Sequence, residues 1–294
     1  MITEFTLGDV EVVRIVEYSG PFIPARALVP ESDPEVWRDN AQWLAPDHWD
    51  PDSDLVTAAV QTWVLRGGGR TVVVDPGVGN GRERPGLPHF DHWQGDFPSL
   101  LAQARVAVED VDIVVNTHVH ADHVGWNTRD ADGTWVPTFP NAEYLIPAAD
   151  DHYFGPDNDY GKGQAEVDRF VYEDSIAPIH RAGQAVLWEG GHRVGEGLTL
   201  EPAPGHTPGS AVLRVVSGAD RAVFVGDLLH SPGQILQPSR SSCFCLDPAQ
   251  AAASRRRVLS RAAAEGELVV PAHFAGAGTM KVRPQGDGFT PLGR

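Results

Sequence analysis

Residues 114–127 read VVNTHVHADHVGWN, and within them His118, His120, Asp122 and His123 place imidazole or carboxylate groups at four of six consecutive positions. These are ligand types for borderline-soft divalent ions, and a catalytic site of that kind uses a few of them while leaving one coordination position open for water. An apolar run, VDIVV, comes just before, so the cluster stands at the end of a buried strand. Alternation along extended backbone sends His118 and His120 to one side. A tightening of the chain at Asp122 and His123 then aims a second pair at a neighbouring point, which suits two adjacent metals better than one. The competing account is a solvated polar turn. Three further ligand types speak against it, because each follows a strand pattern or sits in a Gly/Pro-rich loop: His206 in PAPGHTPGS, Asp227 in VFVGDLLH and His273 in VVPAHF.

The elements that must position these residues alternate along the chain. EFTLGDVEVVRIVEY and AAVQTWVLRGGGRTVVVDPG predict two hairpins, the second turning at Gly67, Gly68 and Gly69 before the β-branched run Thr71–Val74. Between them, residues 19–57 are rich in Pro, Asp and Trp and hold one short helix over DPEVWRDNAQWL, with Asp33 as cap and Pro34 in the first turn. This insertion, with Trp37, Trp43 and Trp49, either packs onto the domain or forms a pocket lid or dimer surface. Helices are expected at FPSLLAQAR, AEVDRFVYEDSIAPIH and DPAQAAASRRRVLSRAAAEG, the last capped by Asp247 and stopped by Gly266. Strands are expected at VDIVVNTH, LTLEPAPG, SAVLRVVS, RAVFVGD and LVVPAHF. No linker cuts the pattern, so a single domain over 1–294 is expected. Early hairpins followed by helices suit an α/β fold of two mixed β-sheets packed face to face and flanked by helices, an αββα sandwich, better than a doubly wound parallel sheet.

Bulk composition narrows the function classes. The 294 residues are 41% hydrophobic and carry a formal net charge of −17, which repels phosphate backbones and anionic surfaces and so argues against nucleic acid or membrane as partners. Divalent metal ions would offset part of that charge. The two cysteines, Cys243 and Cys245 in SCFC, are too close together to staple a fold and are expected to be reduced and structural. MITEFTLGDVEVVRIVEYSG has no basic n-region or apolar h-region, which points to a cytoplasmic location.

The string His118-x-His120-x-Asp122-His123, followed in order by His206, Asp227 and His273, resembles the signature of the metallo-β-lactamase superfamily, and the similarity extends over most of the chain. VVVDPG looks like the family's early strand and its Asp-containing turn. The resemblance implies that His118, His120 and His206 hold one metal, that Asp122, His123 and His273 hold the other, and that Asp227 and a hydroxide bridge both. The cofactors would then be two divalent ions, zinc first, with manganese, cobalt and iron(II) as alternatives. Asp75 in the early turn is either an orienter of the histidine loop or a plain strand-end turn residue. Two ions sharing one water would lower its pKa and polarise a substrate carbonyl or phosphoryl oxygen, with Asp122 as a proton acceptor.

Departures within the superfamily narrow the branch. Asp227 points away from the main zinc β-lactamases, and the 21 residues after His273 (294 minus 273) leave no room for the helical domain of glyoxalase II enzymes. Nuclease members have an inserted domain or basic clamps, and di-iron flavoprotein members have Glu where His120 stands. The strings HADHVGWNT, GDLLHSPGQILQP and PAHF look like the branch of N-acyl homoserine lactonases and methyl-parathion-type hydrolases. The resemblance thus implies a hydrolase of lactones or esters acting on a small molecule, with phosphotriesters as the alternative substrate. An iron-binding oxidoreductase or a metal-binding protein without turnover is the alternative class, and a homodimer is a further expectation.

His230, three residues after Asp227, stands where lactonases carry Tyr. It is either a donor to the substrate's oxyanion or leaving group or a loop residue. Trp126 and Phe274 neighbour ligands in sequence and either line an acyl or aryl pocket or pack. His89 and His92 lack a third ligand nearby and are expected to be loop residues.

Overall fold

The computed structural model describes residues 1–158 and 165–292. The chain divides into two compact units. The first comprises Met1–Glu17 and Val60–His192, the second Tyr18–Ala59 and Arg193–Arg294.

In the first unit, strands pair in the order Ile2–Leu7, Val10–Pro24, Leu55–Gly67, Arg70–Val74, Ile113–Val115, Glu143–Pro147 and Ala185–Trp188. Both expected hairpins form, the second turning at Gly68 and Gly69, whose φ values of 59° and 75° suit glycine. The last three neighbours pair in parallel. Their register sets Val74 beside Val115, and Asp75 N then donates to Val115 O (3.0 Å). The turn at Asp75 and the loop of His118 therefore leave the sheet side by side. Helix Phe97–Gln103 places Phe97 and Leu101 in one core with Val64, Val73 and Val114.

The second unit has its own five-stranded sheet, in the order His192–Gly195, Leu198–Pro202, Ala211–Ser217, Asp220–Gly226 and Leu268–Pro271. Antiparallel register pairs Pro202 with Ala211, while parallel register pairs Gly226 with Pro271 across a bulge. The loop 203–210, Asp227 and His273 thus emerge at one edge of this sheet. Helix Pro248–Glu265 begins where expected, with Asp247 Oδ1 accepting from Gln250 N (2.9 Å), and ends at Gly266 in the left-handed region. Its buried Ala251, Val258, Leu259 and Ala262 recur at helical spacing. Val258 and Leu259 join Val223, Val225 and Val269 in the core, each fully buried side chain contributing roughly 1.5–3 kcal/mol. Two mixed sheets, each bearing helices of its own unit, are the components that an αββα sandwich requires.

Residues 19–57 fall wholly within the second unit and build a small core from Ala25, Leu28, Trp37, Leu44, Trp49 and Val56, with Trp43 packed against it. Trp37 and Trp49 stand 5.8 Å apart between ring centroids. Packing therefore accounts for Trp37 and Trp49.

Three departures of local structure from the sequence pattern have a cause that the residues show. The helix expected over DPEVWRDNAQWL is two short helices, Pro34–Asp39 and Ala41–Leu44. Asn40 divides them, its amide donating to Val36 O (2.8 Å) and accepting from Trp43 Nε1 (2.9 Å), bonds that compete with the helical ladder. The helical run beginning at Ala165 passes through a π-turn at Tyr172–Ile176 before Ala177–Arg181. Pro178 has no N–H for the carbonyl of Asp174, which accepts from Thr128 Oγ1 instead (2.5 Å). Hairpin Thr128–Ala131/Thr134–Pro137 was not anticipated, although Asp132-Gly133, with φ of 52° and 83°, is a turn dipeptide of the kind that hairpins use.

Candidate functional site

The first unit presents its ligand types on a strand end followed by one helical turn, Ala121–Val124. His120 is still extended (φ −122°, ψ 162°), so His118 and His120 fall on the same side, and their Nε2 and Nδ1 atoms lie 3.1 Å apart. The tightening expected at Asp122 and His123 is that helical turn, and the rings of His118 and His123 come within 4.1 Å.

Asp75 organises this loop. Its carboxylate accepts from Thr117 N (2.8 Å) and Thr117 Oγ1 (2.7 Å) and lies 3.1 Å from His123 Nδ1. With Nδ1–H of His123 donated to Asp75, Nε2 keeps its lone pair. Thr117 does the same for His118. Its hydroxyl hydrogen goes to Asp75, so its oxygen accepts from His118 Nδ1 (3.1 Å). The turn is fixed further by Val119 N donating to the buried Asp150 (2.9 Å) and by reciprocal amide bonds between Asn116 and Asn127. Pro76 and Gly77 lie directly on the turn, accepting from Trp126 N (2.7 Å) and Gly125 N (2.8 Å). Gly125 is required there, because a Cβ would stand 1.9 Å from the carbonyl carbon of Val78.

In the second unit three imidazoles converge on one carboxylate. Asp227 Oδ2 lies 3.2 Å from His206 Nε2 and 3.2 Å from His230 Nε2, and its Oδ1 lies 2.9 Å from His273 Nε2. His273 donates Nδ1–H to Ala59 O (2.9 Å), which leaves Nε2 as the basic nitrogen. Beside His206 Nδ1 stands Cys245 Sγ, at 3.9 Å. Burial opposes charging of His206, but its hydrogen bonds to Asp227 and Cys245 outweigh that and raise its pKa to about 9. A metal held at Nε2 would have to displace a proton. His230 goes the other way. Burial pushes its pKa down to about 4 against the pull of Asp227, and its two buried ring nitrogens have no hydrogen bond of good geometry among the described residues. Its backbone N–H is held by Gln234 Oε1 (2.8 Å), and its ring lies 5.6 Å from those of His273 and Phe244.

Each unit therefore carries His and Asp groups of the kind that hold divalent metal, with the Nδ1 protons of His118, His123 and His273 committed to other partners. That donor set fits a zinc-type ion. Trp126 is 5% exposed, stacks on Phe97 at 5.3 Å and donates to Glu17 Oε1 (3.1 Å), so it sits in the core of the first unit. Phe274 is equally buried in the second unit, against His48. Their packing is what the sequence offered as the alternative to pocket lining. His89 and His92 are exposed in turns. Cys243 and Cys245 are both free thiols. Sequence reasoning missed Thr117, Asp150 and the placement of Cys245 beside His206. A hydroxyl residue immediately before the first histidine was the one signal available for Thr117. Among the described residues no helix is long and apolar enough to cross a membrane.

Comparison with solved structures shows the fold. The chain superposes on a hydrolase of the β-lactamase superfamily, AbOPH, with a TM-score of 0.80 and 20% identity, covering 100% of this chain and 98% of that one. AidC, described as a dizinc quorum-quenching lactonase in complex with a product, N-hexanoyl-L-homoserine, gives 0.78 at 18% identity over 100% and 97%. A probable metal-dependent hydrolase from Staphylococcus aureus gives 0.73 at 17% over 92% and 91%. A comparison with curated proteins finds no match. Residues 56–273, which contain Asp75, His118, His120, Asp122, His123, Asp150, His206, Asp227, His230 and His273, match the family model of the metallo-beta-lactamase superfamily, and the chain belongs to that superfamily.

Proposed function

We propose that the chain is a dinuclear metal-dependent hydrolase of lactones or esters. In this reading His118, His120 and His206 hold one ion, Asp122, His123 and His273 hold the second, and Asp227 serves both. The observation that carries it is the convergence of two proposed ligands, one on each oxygen of the Asp227 carboxylate: His206 Nε2 at 3.2 Å from Oδ2 and His273 Nε2 at 2.9 Å from Oδ1. Two divalent ions, zinc first among them, would supply there a water of lowered pKa and a positive charge to polarise the substrate's carbonyl oxygen.

The protein's own residues do the rest. Asp75 and Thr117 hold the Nδ1 protons of His123 and His118, so both ligands meet the metal as neutral imidazoles in a fixed orientation. Asp122 accepts the proton that the attacking water gives up. His230 is buried and neutral beside Asp227, and in this reading its ring N–H donates to the substrate's carbonyl oxygen or to the leaving alkoxide. Likeness in fold to AidC, described as a lactonase, and to AbOPH, described as a hydrolase, supports lactones as candidates, with aryl esters and phosphotriesters tested beside them. Lactonases of the quorum-quenching type carry Tyr where His230 stands, which turns the reading from homoserine lactones toward other lactones and esters.

The test is a panel of lactones, aryl esters, phosphotriesters and a cephalosporin on metal-reconstituted protein. About two ions per chain, loss of activity on chelation and its return with zinc, cobalt or manganese are expected, with lactone or ester turned over fastest. Hydrolysis of phosphotriesters alone would overturn the substrate class. No turnover on any of them with both ions bound would overturn the hydrolase.

A further inference from the structure

The segment Ser241–Asp247 is stitched to the loop that carries His206. Leu246 N donates to His206 O (3.0 Å) and Asp247 N to Gly205 O (2.8 Å). Asp247 then caps helix Pro248–Glu265, and a Cβ on Gly205 would stand 2.0 Å from Ala251 N, so loop and helix start meet backbone to backbone. Cys245 occupies the place next to these main-chain bonds. Its N–H donates to Ser242 O (3.2 Å), and its sulfur lies 3.4 Å from Ser242 Oγ and 3.9 Å from His206 Nδ1. The side chain is partly buried and forms no disulfide.

An imidazole that offers Nε2 to a metal carries its proton on Nδ1, and the group that accepts that proton sets the ring's tautomer and angle. Asp75 fills that place for His123, Thr117 for His118 and the Ala59 carbonyl for His273. At His206 the group in that place is a sulfur. We infer that Cys245 is the positioning residue for His206: its sulfur accepts a hydrogen bond from Nδ1–H, fixes the tautomer and leaves Nε2 directed at Asp227. The inference rests on the reading of His206 as a metal ligand. The thiol thereby has a role that its short spacing from Cys243 does not suggest, and the two cysteines are not equivalent.

Cys245→Ser retains an acceptor at this point and Cys245→Ala removes it. Zinc affinity, read by competition with a chromogenic chelator, should fall about 10–100-fold in Cys245→Ala and stay within about threefold of the parent in Cys245→Ser. The visible absorption of the cobalt-loaded protein should shift in the Ala variant and be restored in the Ser variant. Cys243→Ser, at an exposed position, should change neither. Equal loss in Ala and Ser variants would mean that sulfur acts by bulk, and an unchanged Ala variant would mean that it does not act; either result overturns the inference. If Cys245→Ala fails to fold, Cys245→Val takes its place in the same comparison. His206→Ala separates the two levels. Should it lose zinc while Cys245→Ala does not, only the role of Cys245 falls; should it bind zinc like the parent, the ligand assignment itself falls.

Discussion

The two units gather their ligand types by different means. The first concentrates His118, His120, Asp122 and His123 on one strand end and one helical turn, and holds them by carboxylate and hydroxyl groups. The second draws His206, Asp227, His230 and His273 from three loops at one sheet edge, and holds them by a carbonyl, an amide and a sulfur. Geometry in the first is local and follows from backbone dihedrals over a few residues. In the second it follows from strand register, where a slip of one residue would turn a strand-borne side chain to the opposite face. The first arrangement should therefore be sensitive to its single organiser, Asp75, and the second to the carboxylate on which its histidines converge.

The largest effect should come from Asp227→Ala. It removes the common partner of three imidazoles and should abolish turnover while lowering bound metal, measured by elemental analysis after gel filtration. Full metal content and activity would mean that the second unit's convergence has no bearing on metal. His230→Ala comes next. It should retain both ions yet lower turnover by about 10²-fold, as expected for one positioned donor, and lower it less for an activated aryl ester than for an alkyl lactone. Loss of metal in this variant would make His230 a ligand instead. Asp75→Ala should weaken zinc binding by about 10–100-fold, because Thr117 and His123 lose their shared acceptor. If its effect is smaller than that of Cys245→Ala, the contrast in how the units hold their histidines is reversed.

The smallest effect concerns stability alone. Burial raises the Asp168 carboxyl from the ordinary 3.8 to about 7. A carboxyl with a raised folded value stays protonated while the unfolded chain loses its proton, so its contribution is fully present below pH 3.8 and is lost as pH rises through 7. Asp168→Asn, which cannot ionise, should match the parent at pH 3 and have the higher urea midpoint at pH 8. It should leave zinc affinity untouched, giving the first unit a baseline in which stability and metal binding separate. A lower midpoint at pH 8 would show that the carboxylate is stabilised in the fold.

What could be read from the sequence followed the same division between local and distant. The cluster His118–His123 was legible because its chemistry and its backbone both lie within one short segment. His206, Asp227 and His273 were legible as strand-end residues, but their convergence depends on the pairing of Pro202 with Ala211 and of Gly226 with Pro271, which no local pattern encodes. Asp75 could be read equally as a turn residue or an orienter, and the three donors facing its carboxylate settle that choice. Cys245 lay beyond reach, since nothing in SCFC points to a histidine 39 positions away. The capped helix Pro248–Glu265 was readable end to end. The helix at Asn40 was not, because one side chain's hydrogen bonds decide whether the run continues.

The backbone contact between Gly125 and Val78 has a consequence for how this chain can change. In a saturation library, position 125 should return glycine alone, since any side chain there collides with main chain that cannot step aside. Gly133, at the tip of the neighbouring hairpin with φ of 83°, has open space around it and should also return asparagine and aspartate. Selection for new activity would thus find the loop beside Asp122 closed to variation at its hinge, and mutational drift would enter this part of the chain through the hairpin tip.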